Sequence, residues 1–395
     1  MQAASLFDDL ERVDASPCGY SESTFHFLNR ARGPVWERER TLLDAWWHDF
    51  PSDSQGELRG RIRNDGNVGF RSAFCELYVH QVLRRISTHV ECHPALPNTQ
   101  RRPDFLARVR GIGPVVVEAK SGTGSPAELG FSPLMSAVMD AVNTLRFDRW
   151  TFRVSPESEG RQAPRTKPLL RGLTEFVESL DHDALRARLE KGGYYESSPT
   201  FEWTSGDWRI DFQPIPMREG RAGPTVGMNA AVAIWNDAVP IREYIRDKGR
   251  AYGDVGGPFV LALDVPSLFD TDHSPAEVLY GDIQIVFDVN FEAQTGTRRA
   301  WNGAWYAGNR WRQPQVSGVV MLPNLAPHRV VDLTPTLWHH PSPTYPISAL
   351  APIFRQAKMN EEAGHVDFIE PTMTPAEFFE LPEDWPGPEP AFADE

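Results

Sequence analysis

Two carboxylates and one ammonium stand at a spacing that can do hydrolytic chemistry. In the stretch RRPDFLARVRGIGPVVVEAKSG, residues 101–122, Asp104 follows Pro103, and Glu118 and Lys120 close an apolar run. Side chains at i and i+2 of a strand share a face, so Glu118 and Lys120 project together while Ala119 points the other way. The GIGP turn is short enough for residues 103–109 and 115–120 to pair antiparallel. That pairing brings Asp104 to the Lys120 end of the ladder. Two hard oxygen ligands suit Mg²⁺ (or Mn²⁺), which takes one or two carboxylates and keeps its waters. A cation there would lower the pKa of bound water and neutralise charge building on a phosphate. A neighbouring lysine would stabilise the same developing charge.

The elements that must position these residues can be read from period and punctuation. PVWERERTLLDAWWHDF reads as a helix opened by Pro34, with Leu42, Leu43, Trp46 and Trp47 near helical spacing. PSDSQGELRGRIRNDGNVG, rich in Gly, Asp and Asn, reads as a connecting loop. FRSAFCELYVHQVLRRI is an amphipathic helix with Phe74, Leu77, Tyr78 and Val82 on one stripe and Glu76 off it. Three strands are expected next, in STHVECHP, RPDFLARVRG and VVVEAKSG. A helix entered through Ser132-Pro133 follows, and then the strand WTFRVSPE. The order is helix, three strands, helix, strand. Further on, KPLLRGLTEFVESLDHDALRARLEKGG is helical and ends in Gly192-Gly193. PTFEWTSGDWRIDFQPIP reads as a β-hairpin. PIREYIRDKGRAYGDVGGPFVLALDVPS is a helix, a Gly-rich turn and a strongly apolar strand, and VSGVVMLPNL is one more buried strand.

The PD of 103–104 and the EAK of 118–120 resemble the PD-(D/E)XK motif of the restriction-endonuclease-like superfamily. The helix bearing Glu76 is similar to that superfamily's first core helix, and SAFCELYVHQVLRR…HP…RRPDF…VEAK is similar to bacterial proteins carrying the motif. The resemblance covers roughly residues 70–155. It implies an α/β fold with a restriction-endonuclease-like core, a mixed central sheet flanked by helices. Here that core would carry a helical N-terminal extension and a large α/β C-terminal elaboration. It further implies Asp104 and Glu118 as metal ligands, Lys120 as the catalytic lysine, and Glu76 as an accessory acid at the metal. The divisions expected are a helical extension over 1–55, the nuclease-like core over 56–175, an α/β region over 176–358 and an acidic, proline-rich tail over 359–395.

Charge distribution supports a polyanionic partner more than net charge does. The 395-residue chain carries a formal −14. Residues 51–170 hold 17 Lys+Arg against 12 Asp+Glu, whereas the remainder holds 23 against 42. The motif therefore lies in a locally basic segment of an acidic protein, and it is the local field that a polyanion meets. Arg101, Arg102, Arg84 and Arg85 are the candidate phosphate contacts, with Arg101-Arg102 favoured because they abut Asp104. Residues 361–395 hold eleven acids and no Lys or Arg. Those acids are suited to occupy the basic face and compete with nucleic acid, with Phe378, Phe379 and Trp385 as anchors.

Several other patterns carry less. His89, Cys92 and His93 lack a second pair at zinc-like spacing. His80 reads as a structural histidine, and His339-His340 as loop residues. Phe201, Trp203, Trp208 and Phe212 read as hairpin core rather than as a stacking platform. GRAYGDVGG lacks the Lys-Ser/Thr ending of a phosphate loop, and no Gly-x-Ser-x-Gly elbow is present. No apolar run reaches the length of a transmembrane helix, no basic-then-apolar leader opens the chain, and three cysteines are too few for a disulfide framework. These features point to a cytoplasmic protein away from membranes. The expected function is a Mg²⁺-dependent endonuclease acting on nucleic acid, double-stranded DNA by family frequency, in bacterial defence or DNA repair. A homodimer would suit cleavage of both strands. The alternative is a catalytically inactive restriction-endonuclease-like binding or regulatory protein that acts through partners.

Overall fold

The computed structural model describes residues 5–97, 99–122, 131–147, 149–191, 198–217, 238–265, 273–287, 294–360 and 364–388. Along the chain run α1 (Thr24–Arg30), α2 (Pro34–Asp49), α3 (Gln55–Asn64), α4 (Gly66–Ile86), β1 (Ser87–Cys92), β2 (Phe105–Val109) and β3 (Gly113–Ser121). Then come α5 (Pro133–Val142), β4 (Trp150–Ser158), α6 (Thr166–Glu178), α7 (His182–Lys191), β5 (Phe201–Ser205) and β6 (Trp208–Pro216). The rest comprises α8 (Ala238–Tyr252), β7 (Phe259–Val265), α9 (His273–Tyr280), β8 (Ile283–Phe287), β9 (Gln294–Arg299), β10 (Gly318–Pro323), β11 (Thr336–His339), β12 (Arg355–Asn360), β13 (His365–Ile369) and α10 (Pro375–Phe379). Among the described residues no helix is long and apolar enough to cross a membrane.

The chain divides into two compact units. One comprises Met1–Leu10, Pro34–Glu128 and Asn236–Pro388; the other comprises Glu11–Gly33, Leu129–Trp235 and Glu389–Glu395. The first unit is α/β, with a mixed eight-stranded sheet in the order β1-β2-β3-β7-β10-β11-β12-β13. β3, β7 and β10 run parallel, as do β11 and β12, and the remaining neighbours are antiparallel. β7 is buried at all seven positions, the pattern of a parallel strand covered on both faces. On one face Tyr78, Val79, Val82 and Leu83 of α4 meet Val117, Val260, Ala262 and Val320 around a small apolar void. On the other, Phe259, Leu261, Leu263 and Met321 share a core with Ile241, Ile245 and Tyr252 of α8 and Val278, Leu279 and Tyr280 of α9.

The second unit has its own three-stranded sheet, ordered β4-β6-β5. Its core joins Met135, Val138 and Met139 of α5 to Phe152, Leu169, Leu173 and Phe212. α5 starts as its residues dictate: Pro133 occupies the first turn, and the Ser132 hydroxyl accepts from the Met135 N–H. At the β5–β6 turn Gly206 takes φ +59°, a left-handed conformation that costs a side-chain-bearing residue strain.

Five expectations need correction. WTFRVSPE does form a strand, β4, but in the second unit's sheet; the parallel neighbour of β3 is β7. The units therefore cut the chain elsewhere than at 55, 175 and 358, and the stretch 56–175 spans parts of both. The supposed loop at 51–69 contains α3, because Leu58 and Ile62 give it a buried stripe despite the flanking Gly and Asp. His339 ends strand β11 and is buried, as is His340. The C-terminal stretch is integrated through residue 388: β13 forms the sheet edge, and Phe378, Phe379 and Trp385 are buried. Gly192-Gly193 and the residues after 388 lie outside the described residues.

Candidate active site

The hairpin register sets the site. Phe105 pairs with Val117 across β2 and β3, which puts Asp104, one residue earlier, beside Glu118. Asp104 is fixed there twice. Its carbonyl accepts from the His93 N–H at 2.9 Å, and its Oδ2 accepts from the Ala119 N–H at 2.7 Å. Because β2 is antiparallel to β3, and β3, β7 and β10 are parallel, the start of β2 and the ends of those three strands form one edge of the sheet. Open α/β sheets characteristically bind ligands beyond the carboxyl ends of their parallel strands.

Glu118 is 5% exposed and faces α8. Lys248 makes an ion pair with its Oε1, and the Tyr252 hydroxyl donates to its Oε2 at 2.8 Å. Tyr244, Lys248 and Tyr252 recur every four residues, on one face of the helix, and the Lys248 ammonium lies 5.7 Å from both ring centres. The Tyr244 hydroxyl is buried with no hydrogen-bond partner among the described residues. Its pKa is raised, by burial first and then by Glu118 and Asp104.

Asp104 carries the electrostatic signature of the site. Its carboxyl is pushed up to about 8, first by burial and then by the negative charges of Glu118 and Glu76. The Ala119 N–H and Lys248 oppose that shift without cancelling it. Such a carboxyl holds a proton unless a cation replaces it.

Glu76 is near enough to act on Asp104, yet it is not open. Both its oxygens are taken by Arg61 of α3, at 2.6 and 2.5 Å, in a bidentate pair. Lys120 is exposed and makes no hydrogen bond or ion pair among the described residues. On the α4 face the same edge is closed by Asp264, which accepts from the Ser121 hydroxyl at 2.6 Å, from Arg71 at 2.9 Å and from the Leu325 N–H at 3.0 Å. That carboxylate is fully partnered and reads as a structural clamp.

The candidate phosphate-binding arginines divide. Arg101 and Arg102 are exposed just ahead of Asp104. Arg84 pairs with Asp49 at 3.1 Å. Arg85 lies over the Phe379 ring, 5.2 Å from its centre, and donates to Gln81. The structure thus brings Asp104, Glu118 and Glu76 together, leaves Lys120 at the rim, and engages Arg84 in an ion pair and Arg85 in packing. His80 is buried against Phe50 and Phe105 and pushed down to about 4 by burial, as a structural histidine would be.

Lys248, Tyr252, Tyr244 and Arg61 are the participants that sequence reasoning missed. The first three carried a signal, their i, i+4, i+8 spacing in EYIRDKGRAY. Arg61 carries none, because the Gly, Asp and Asn around its helix have the composition of a loop. Among the described residues no set of three His, Cys, Asp or Glu side chains is placed to hold a metal ion. No protein-family model, curated protein or solved structure matches the chain.

Proposed function

We propose that the protein is a metal-dependent nuclease built on a PD-(D/E)XK-type core. The observation that carries this reading is the pairing of Asp104 with Glu118 at the sheet edge, with the Asp104 carboxyl raised to about 8. The element order supports it: helix α4, antiparallel strands β1, β2 and β3, crossover helix α8, and β7 parallel to β3. In this reading the stretch Leu129–Trp235, the larger part of the second unit, is inserted in sequence between β3 and α8.

A divalent cation fits Asp104 and Glu118. Asp104 Oδ1 has no protein partner among the described residues, and each Glu118 oxygen keeps a lone pair beyond its single donor. Glu76 does not fit as a direct ligand while Arg61 holds both its oxygens. A bound Mg²⁺ or Mn²⁺ would supply a water of lowered pKa and neutralise phosphate charge. Lys248 and Tyr252 would hold the Glu118 carboxylate in place. Lys120, on the same face as Glu118 and open to solvent, would meet the phosphate.

The test is cleavage of duplex DNA, single-stranded DNA and structured RNA with Mg²⁺, Mn²⁺ or EDTA. Asp104→Asn, Glu118→Gln and Lys120→Ala should each lower the rate by at least about a hundredfold, the scale of losing one preorganised charge-stabilising group. Lys120→Ala should leave stability unchanged because the side chain is exposed. Lys248→Ala should lose both activity and roughly 1–3 kcal/mol of stability, the cost of depriving a buried acceptor of its donor.

The Arg61–Glu76 and Lys248–Glu118 pairs favour a second reading, a binding or regulatory protein that uses the same core with its carboxylates internally neutralised. In that case neither Mg²⁺ nor Mn²⁺ would raise the melting temperature, and no substrate would be cut.

A further inference from the structure

The edge that carries Asp104 and Glu118 continues past β7 and β10 to the starts of β11 and β12. There it opens into a cavity of about 170 Å³. Val265 ends β7, Met321 and Pro323 end β10, and Trp338 of β11 supplies an apolar wall. The polar part of the lining is concentrated: Arg329 and Arg355 are its cations, with Thr334 and Thr336 beside them. Pro275, in the first turn of α9, also lines it.

Arg355 is preorganised. It packs over the Phe368 ring at 3.9 Å and bonds Glu370 at 3.1 Å through Nε, contacts that hold the side chain at the cavity wall. The Arg329 side chain holds no hydrogen bond or ion pair among the described residues. Asp332 is the lining's single carboxylate, and it is exposed.

We propose that this cavity is a phosphate subsite, in which Arg329 and Arg355 hold a backbone phosphate of the nucleic-acid strand that crosses Asp104 and Glu118. The proposal rests on the nuclease reading for its ligand class. Three features of the structure favour it over a pocket for a free metabolite. The cavity and the carboxylates share one sheet edge and one compact unit. From β3 to β10 is two strand spacings and to β12 four, roughly 10–19 Å at about 4.8 Å each. At roughly 3.4 Å of axis per nucleotide, that is about three to six nucleotides along a bound strand. Finally, two guanidiniums beside an apolar wall suit a phosphodiester with its sugar, because guanidinium forks match phosphate oxygens and the wall accepts the ribose or base.

The test separates binding from cleavage. Affinity for fluorescent duplex and single-stranded DNA is measured with EDTA present, across a series of salt concentrations. Arg329→Gln and Arg355→Gln should each weaken binding about five- to tenfold and lower the salt slope by about one. Asp332→Asn should strengthen binding. Arg329 and Asp332 have no side-chain partners among the described residues to lose, so these two variants stay interpretable even if Arg355→Gln perturbs β12. Inorganic phosphate alone should raise the melting temperature of the wild-type protein and not of Arg329→Gln. Unchanged affinity and slope in both Arg329→Gln and Asp332→Asn would overturn the subsite, even in an active nuclease. Altered slopes in a protein that cuts nothing would keep the subsite and reject the nuclease.

Discussion

At the residue scale, the decisive quantity is the proton on Asp104. An unfolded chain releases that proton near pH 4. The folded protein holds it until about pH 8. Between those values the folded state binds more protons than the unfolded, so this residue makes stability fall as pH rises from about 4 to about 8. Asp104→Asn keeps an acceptor for the Ala119 N–H and removes the buried charge. Its melting temperature should therefore exceed that of the wild type at pH 8, by ~2–4 °C for each kcal/mol recovered, with the two converging near pH 4. Mn²⁺, which binds the ionised carboxylate, should stabilise the wild type more at pH 8 than at pH 6 and do nothing for the variant. Melting curves at those three pH values check both outcomes. The carboxylates were legible because a period of two and a four-residue turn constrain neighbours within twenty positions. Lys248 and Arg61 were not, since the pairing of Glu118 with a lysine 130 residues away depends on sheet order.

At the element scale, local pattern and spatial neighbourhood separate cleanly. The strand PFVLALDV announces itself by its apolar run, yet nothing in the run says that Glu118 will pair with Leu261. WTFRVSPE reads equally well as a strand and lands in the other sheet, because its alternation needs only one covered face and the second unit supplies one. The contrast between covered and open strands yields a measurable difference. Phe259→Ala in β7 removes a wholly buried ring and should cost about 3–5 kcal/mol. Ile285 in β8 is 56% exposed, and Ile285→Ala should change stability by less than about 0.5 kcal/mol. Denaturant titration of the two variants checks the ranking.

At the scale of the whole molecule, the acidic C-terminal stretch is a structural member. Phe379 lies 5.3 Å from the Trp46 ring and 5.4 Å from that of Tyr78, and Trp385 Nε1 donates to the Pro327 carbonyl at 3.0 Å. Its composition, rich in Pro and acid, concealed three buried aromatics that behave as core. Trp385→Ala should cost about 3–5 kcal/mol, read as a shift in denaturation midpoint. Deletion from residue 361 should lower stability further, because it also strips β13 from the sheet edge. The placement of β3 has a consequence for how the chain is born. Its partner β2 leaves the ribosome just before it, but β7 follows only after residues 129–235 have been made. Through that interval the nascent chain presents Val115, Val116 and Val117 on a hairpin whose outer edge is unpaired. An unpaired apolar strand edge of this kind is exposed to aggregation until its partner is made, so slowing translation across residues 129–235 should lower the soluble fraction recovered from cell-free synthesis.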